Sequence, residues 1–174
     1  GAQATLGRPK VRQALAMAID REAIISRTVA GGGVVVSGPL PAAALGPGPN
    51  LTGDPYDPDG ARNLIAADGW KDANGDGTLE RTEGSGRRRE TKTLEVRLVT
   101  SDAPELAAAA ELIAEMWRAV GVRAETKTLP IAALEATMIR PRAYEAHLFG
   151  AVYGPEPAPF AFWHTTNLKD TGHN

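Results

Sequence analysis

The sequence predicts an α/β fold in which helices flank a mostly parallel sheet. The second half of the chain alternates between a strand at 94–100, a helix ending near 120, a strand at 122–128, a helix at 130–139 and a strand at 144–152. Strand–helix–strand units of this length connect through right-handed crossovers, which makes neighbouring strands parallel. With 174 residues the chain supports one hydrophobic core, so we expect one domain spanning 1–174.

The helix between the first two of these strands has a continuous apolar face. Its members recur at helical spacing: Leu106, Ala110, Ile113, Trp117 and Val120. Asp102 followed by Glu105 predicts a capping box at its start, and Gly121 predicts its end.

Three further helices are predicted in the first half of the chain. Pro9 suits the first turn of a helix, and Asp20 predicts the cap of a second, short helix after it. The apolar residues of this pair are Val11, Leu15, Ala18, Ile19, Ile24 and Ile25. Asp57 and Pro58 predict the start of the third helix, and Gly69 predicts its end.

Two segments have the composition of connections. Residues 31–55 are rich in Gly and Pro and predict a connector that lies over the surface, with a short strand possible at 34–36. Residues 71–90 are rich in Asp and Gly and predict a loop.

Composition excludes several classes of function. A net charge of −2 provides no basic field for nucleic acid, and we interpret Arg87, Arg88 and Arg89 as a solvated loop. No apolar run reaches the roughly 18 residues that a membrane span needs. Cysteine is absent, which excludes disulfides and thiol catalysis.

The loop after the third helix matches the spacing of a calcium-binding loop. The predicted ligands are Asp72, Asn74, Asp76, the backbone carbonyl of Thr78, and Glu83. Gly77 permits the sharp turn, and Leu79 would point to the core. No helix flanks the loop closely on either side, so a turn rich in Asp and Gly remains the alternative. A bound Ca²⁺ would be structural, and no cofactor is required.

No catalytic motif is found among the candidate residues. The three histidines, His147, His164 and His173, belong to no metalloprotease, nucleophile-elbow or phosphate-binding pattern. We interpret His147 as a hydrogen-bonded core residue and predict no catalytic residues and no enzyme.

Several segments, taken in order, resemble the extracytoplasmic solute-binding proteins of peptide and nickel ABC importers (family 5). They are VRQALAMAIDREAII at 11–25, SGPLP at 37–41, YDPDGARNLIAADGW at 56–70 and GAVYGPEPAPFAFWHT at 150–165. Each segment alone is a weak signal, and their order makes the resemblance specific.

The resemblance implies a single lobe of a clamshell like that of the periplasmic binding proteins. Such a lobe, excised from a longer receptor and without the signal sequence, captures a small solute in the cleft between lobes. The receptor works outside the cytoplasmic membrane and delivers a peptide, oligosaccharide or metal complex to the membrane subunits of an ABC importer. The sequence does not indicate the oligomeric state, and we expect a monomer by default.

The resemblance also implies the ligand-binding residues, which are Val152, Tyr153 and Glu156. Tyr153 stands where peptide-binding members carry an Asp that holds the peptide ammonium, which disfavours that mode of binding. Two other functions remain open: a calcium-stabilised extracellular interaction module, and a small α/β enzyme built around His147 or His164.

Overall fold

The structure is a computed structural model that describes residues 5–30, 32–38 and 53–152. Its helices are α1 (Pro9–Met17), α2 (Arg21–Thr28), α3 (Pro58–Ala67), α4 (Pro104–Ala119) and α5 (Ile131–Leu134). Its strands are β1 (Glu80–Glu83), β2 (Glu90–Thr93), β3 (Glu95–Ser101), β4 (Arg123–Leu129) and β5 (Ala146–His147). None of the helices within these ranges is long and apolar enough to cross a membrane.

Three parallel strands form the main sheet, in the order β4–β3–β5. In register, Val99 of β3 lies beside Lys127 of β4 and His147 of β5. The crossover from β3 to β4 is α4, as the alternation of elements predicted. The predicted α/β class with a parallel sheet is therefore confirmed.

The hydrophobic core lies between this sheet and the helices α1, α3 and α4. From the sheet it takes Val96, Leu98 and Ala124. From α4 it takes most of the predicted face, including Ile113 and Trp117. The indole Nε1 of Trp117 donates a hydrogen bond to the carbonyl of Leu15, at 3.0 Å, and so links α4 to α1.

The predicted caps of α2 and α3 are confirmed. The Asp20 carboxylate accepts a hydrogen bond from the Ala23 N–H at 2.9 Å, and the Asp57 carboxylate accepts one from the Gly60 N–H at 2.8 Å. Each bond satisfies one of the amide groups that the first turn of a helix leaves without a partner.

The capping box predicted from Asp102 and Glu105 is wrong. Ala103 occupies the N-cap position of α4, and no side chain caps that helix. Pro104 stands in the first turn, where its fixed φ and missing N–H favour a helix start. The proline therefore moves the boundary one residue beyond the position that the capping pattern indicated.

Other differences concern strands and the end of a helix. Val34, Val35 and Val36 form no strand and are exposed. The strand predicted at 144–152 is reduced to Ala146–His147, and the helix predicted at 130–139 becomes a π-helix over Glu135–Ile139. The predicted loop at 71–90 contains β1, which forms an antiparallel hairpin with β2 at the end of that range, joined by a 3₁₀ turn at Gly86–Arg88.

Leu79 connects this hairpin region to the core, as predicted. Its N–H donates to the carbonyl of Gly121 at 2.9 Å, and its side chain packs against the core. Gly121 has φ +88°, and a Cβ placed there would lie 2.6 Å from the Leu79 side chain. Both the backbone angle and the close approach therefore require glycine.

Candidate functional site

The ends of the three parallel strands bring separate segments of the chain to one edge of the sheet. Asp102 follows β3, Pro130 and Ile131 follow β4, and residues 148–152 follow β5. We call these residues the carboxyl edge. In open α/β sheets, ligands bind outside the carboxyl ends of the strands, so this edge is the first place to look for a site.

Hydrogen bonds hold the carboxyl edge in place. The Leu148 N–H donates to the Val99 carbonyl at 3.0 Å, and the Thr100 hydroxyl donates to the Leu148 carbonyl at 2.9 Å. The Asp102 N–H donates to the Leu129 carbonyl at 3.0 Å. These bonds continue the sheet beyond its last paired residues, so the edge is a defined surface.

Three large apolar side chains of the carboxyl edge are exposed. Ile131 is 66% exposed, Phe149 is 43% exposed, and Val152 is fully exposed. Isolated exposed apolar residues are common on proteins. Three at one edge of a sheet are typical of a surface that contacts a ligand or another protein surface. The edge thus presents an apolar surface beside the exposed Asp102.

Of the predicted ligand residues, Val152 lies at the carboxyl edge, while Tyr153 and Glu156 lie outside the described residues. Sequence reasoning missed Ile131 and Phe149. Both come within two residues of the end of a strand, which is the signal that could have identified them.

His147 lies at the end of β5, just before the carboxyl edge. Its ring stacks on Phe149 with centroids 5.3 Å apart and lies 5.5 Å from the ring of Tyr144. Its Nε2 is buried without a hydrogen-bond partner in the described part of the chain, which differs from the predicted hydrogen-bonded core residue. Burial lowers the pKa of His147 because the charged imidazolium is poorly solvated there.

The loop with calcium-like spacing is held by hydrogen bonds from its own backbone. The Asp72 carboxylate accepts from the N–H groups of Gly75 at 2.7 Å and Gly77 at 3.0 Å. The Asp76 carboxylate accepts from the Thr78 N–H at 2.8 Å, a bond that lowers the pKa of Asp76. The side-chain amide of Asn74 donates to Asp76 at 3.1 Å.

The structure does not bring Glu83, the fifth predicted ligand, into this group. Glu83 lies in β1, and its carboxylate binds the Lys92 ammonium at 2.7 Å. The carboxylate of Glu80 lies at the loop instead, where it accepts from the Ala73 N–H and the Asn74 amide at 3.1 Å each. Across the described ranges, no group of three or more His, Asp or Glu side chains is placed to hold a metal ion.

Glu83 belongs to a network of charges that connects the hairpin to α1 and α3. Asp68, at the end of α3, receives two hydrogen bonds from the Arg8 guanidinium, one of them at 2.8 Å, and one from Trp70 Nε1 at 3.2 Å. Arg81 Nη1 lies 3.3 Å from Glu83 and 3.9 Å from Asp68. The hydrogen bond from Arg8 lowers the pKa of Asp68, and the one from Lys92 lowers that of Glu83.

The chain is thus a parallel α/β unit with exposed apolar residues at the carboxyl edge of its sheet. The sequence model of a protein family, the bacterial extracellular solute-binding proteins, family 5 (middle region), matches residues 2–172. The chain belongs to this family.

Three relatives illustrate the range of the family. The oligopeptide-binding protein AppA of Bacillus subtilis (strain 168) is 30% identical over 165 residues, which are 92% of this chain and 29% of AppA. Its solved structure with a nonapeptide matches with a TM-score of 0.81 and 26% identity, covering 94% of this chain and 32% of that one.

The heme-binding protein A of Haemophilus influenzae is 31% identical over 145 residues, which are 83% of this chain and 23% of that protein. NikZ from Campylobacter jejuni, solved with Ni(L-His), matches with a TM-score of 0.72 and 25% identity, covering 97% of this chain and 32% of NikZ. The chain thus spans a third or less of the length of these relatives.

Proposed function

We propose that this chain is a ligand-capturing lobe of an extracytoplasmic substrate-binding protein that delivers a small solute to an ABC importer. The observation that carries the proposal is the family match over residues 2–172, in a chain whose sheet ends in an exposed apolar edge. Such a lobe binds reversibly and does no covalent chemistry, so the chain is not an enzyme. The family match favours this function over a calcium-stabilised interaction module.

In this proposal the carboxyl edge forms one wall of the cleft between lobes. The solute contacts both walls, stabilises the closed state and is released when the protein opens at the importer. Ile131, Phe149 and Val152 supply apolar contact, and Tyr153 and Glu156, which continue the chain from Val152, supply polar contact. The residues 1–174 act as one lobe, with 31–55 as connector.

The solute class is a further part of the proposal. Relatives have been solved with ligands as different as a nonapeptide and Ni(L-His), which supports a lobe whose frame is constant and whose edge residues vary. At the position of Tyr153, peptide-binding members carry an Asp that holds the peptide ammonium. Since Tyr153 has no carboxylate, we disfavour a peptide held through a free amino terminus. A peptide held otherwise, an oligosaccharide or a metal complex remains the expected class. We place the protein outside the cytoplasmic membrane, as a monomer, next to the importer's membrane subunits.

The test uses the complete translation product of the gene that contains this chain. Four probes are titrated by calorimetry: a pentapeptide mixture, mannohexaose, Ni(L-His)₂ and heme. We expect one class to bind at one site per chain, and Phe149→Ala to weaken that binding by roughly tenfold, since a lost aromatic contact costs about 1–2 kcal/mol.

The matched control is Tyr56→Ala, which truncates another exposed aromatic side chain, one that belongs to none of the strand-end segments of the carboxyl edge. Equal losses in the two variants would reject the edge as the binding surface. If none of the four probes binds, and native mass spectrometry finds no co-purified small molecule, the proposed function itself is rejected.

A further inference from the structure

The ring of His147 connects the sheet to the carboxyl edge. His147 is the last residue of β5, and its imidazole stacks on the ring of Phe149 with centroids 5.3 Å apart and planes inclined at 24°. Aromatic pairs at centroid separations of about 4.5–7 Å attract each other. Phe149 belongs to the carboxyl edge, so the position of one of its exposed apolar side chains depends in part on His147.

The ring of His147 has apolar and aromatic surroundings. The buried Val99 is its register partner on β3, and the ring of Tyr144 lies 5.5 Å away at 53°. Nε2 of His147 is buried and has no hydrogen-bond partner within the described residues. A neutral imidazole can leave this nitrogen as an acceptor, whereas an imidazolium carries an N–H donor at both ring nitrogens. Protonation of the ring in place therefore buries a charged donor without an acceptor.

His147 lies on the sheet face opposite α4. Leu98 belongs to the core and Ala146 packs against it, so Val99 and His147, the next residue of each strand, point to the other face. Charged and titratable groups are supplied to this face by every element around it. They are Arg97 of β3, Glu125 and Lys127 of β4, Glu135 and Arg140 of the π-helix, and Arg142, Tyr144 and Glu145 before β5.

The carboxylates among these groups already bind other partners. Glu145 accepts a hydrogen bond from the Arg97 N–H at 2.7 Å, and Glu125 lies 3.7 Å from the Arg97 guanidinium. Glu135 accepts a hydrogen bond from the Arg140 guanidinium at 2.9 Å. Asp102, four residues after Leu98, continues the alternation of β3 that faces α4. In the described part of the chain, an imidazolium at His147 thus has no hydrogen-bonded counter-ion at Nε2.

Acid therefore favours a state in which the ring of His147 has turned towards water. Burial lowers the pKa of His147, whereas a ring exposed to water has the ordinary value of about 6.5. The state with the exposed ring binds the proton more readily, so its share rises as pH falls from the ordinary value through the lowered one. Attraction between an imidazolium and an aromatic face opposes this change, but it is smaller than the cost of a buried charged donor without an acceptor.

We propose that His147 is a positioning residue for solute binding: its neutral ring holds Phe149 at the carboxyl edge, and protonation of the ring releases Phe149 and weakens binding. The proposal rests on the function proposed above, in which Phe149 contacts the solute. It makes solute capture dependent on the acidity outside the membrane, because histidine is the side chain that changes its charge closest to neutral pH.

The first test follows the two rings without any solute. The complete translation product is labelled with ¹³C-histidine and ¹³C-phenylalanine, and nuclear Overhauser effects between the rings of His147 and Phe149 are measured from pH 8 to pH 5. Loss of the signals in His147→Gln and Phe149→Ala assigns them. We expect the contact at pH 8 and its loss as the ring takes up a proton. A contact that persists after protonation, or a ring that takes up no proton above pH 5, contradicts the proposal.

The second test measures solute binding by calorimetry at pH 7.5 and pH 5.5, with whichever of the pentapeptide mixture, mannohexaose, Ni(L-His)₂ and heme binds at pH 7.5. We expect the dissociation constant of the unsubstituted protein to rise by about threefold or more at pH 5.5. His147→Phe keeps an aromatic ring that cannot be protonated, so it should bind normally at pH 7.5 and lose this dependence. His147→Gln removes both the stack and the proton site, so it should bind weakly at both values.

Two further histidines, His164 and His173, are unchanged in these variants. A pH effect that arises from them, or from the probe itself, therefore persists in His147→Phe, and equal pH effects in that variant and the unsubstituted protein would overturn the proposal. If no probe binds at pH 7.5, the proposed function is rejected together with its dependence on pH. The ring contacts then still decide whether His147 holds Phe149, so the two failures are distinguishable.

Discussion

The core around α4 and the hairpin of β1 and β2 are stabilised by different forces. The core is built from buried apolar side chains, with one hydrogen bond from Trp117 to α1. The hairpin region depends on the charges around Asp68 and Glu83 and on the backbone bonds of the Asp/Gly loop. Apolar burial tolerates changes of pH and salt, whereas charges and their hydrogen bonds respond to both.

The largest expected effect on stability comes from a substitution in the core around α4. Trp117→Ala should lower the free energy of unfolding by about 3–5 kcal/mol, since it empties a buried site and removes the bond to Leu15. Urea denaturation followed by circular dichroism measures it. Glu115→Ala, on the exposed side of the same helix, should change stability by less than about 0.5 kcal/mol. A loss below 1 kcal/mol for Trp117→Ala would contradict this packing.

A smaller effect is expected from breaking the charge network. Asp68→Asn removes the charge that Arg8 binds, and the side chain is only 10% exposed, so we expect a loss of about 1–3 kcal/mol. Asp59→Asn is the matched control because Asp59 pairs with Arg62 at an exposed position, where the loss should be at most about 0.5 kcal/mol. Equal losses in the two variants would show that the network adds nothing beyond a surface ion pair.

As pH falls, the hairpin region of β1 and β2 should lose stability at a higher pH than the core around α4. The pKa values of Asp68 and Glu83 are lowered in the fold, so their stabilisation is complete above the unfolded values near 4 and is lost as pH falls through the lower, folded values. Denaturant midpoints measured from pH 7 to pH 2 should therefore fall with a steeper slope in the unsubstituted chain than in Asp68→Asn. Parallel slopes would refute this assignment.

Calcium is expected to have the smallest effect on stability. Its binding by the loop from Asp72 to Glu83 stays a prediction. Glu83 must exchange Lys92 for the ion, so we expect weak binding at one site per chain and stabilisation of about 1 kcal/mol or less at millimolar calcium. Calorimetric titration of the metal-stripped chain measures it, with Asp76→Ala as the variant that should abolish the heat. Absence of heat at millimolar calcium would identify the loop as a turn held by its own hydrogen bonds.

The same difference in forces explains which elements the sequence could predict. The face of α4 and the alternation in β3 are apolar patterns with a clear period, and the structure contains both. The strands β1 and β2 read ERTE and ETKT, which have no apolar alternation, because ion pairs and backbone ladders stabilise them. Val34, Val35 and Val36 show the converse, since this run of β-branched residues pairs with no strand among residues 5–30, 32–38 and 53–152.

The candidate site was predictable only in part, for a geometric reason. The order of strands and helices indicates which residues follow each strand, but Val152 was predicted as a ligand residue from the family resemblance, and that role stays a prediction. Exposure of Ile131 and Phe149 depends on how far the neighbouring segments extend past the sheet edge. That extent is a property of the assembled strands and is not contained in any local pattern.

The π-helix at Glu135–Ile139 has a consequence for comparing this chain with its relatives. The Arg140 N–H bonds to the Glu135 carbonyl five residues back, so this turn holds one residue more than an α-helical turn. A homologue with an uninterrupted helix at this position should be one residue shorter. Sequence alignments should therefore place a single-residue gap within 135–139, since a gap placed later would shift Arg142, Tyr144 and Glu145 out of correspondence.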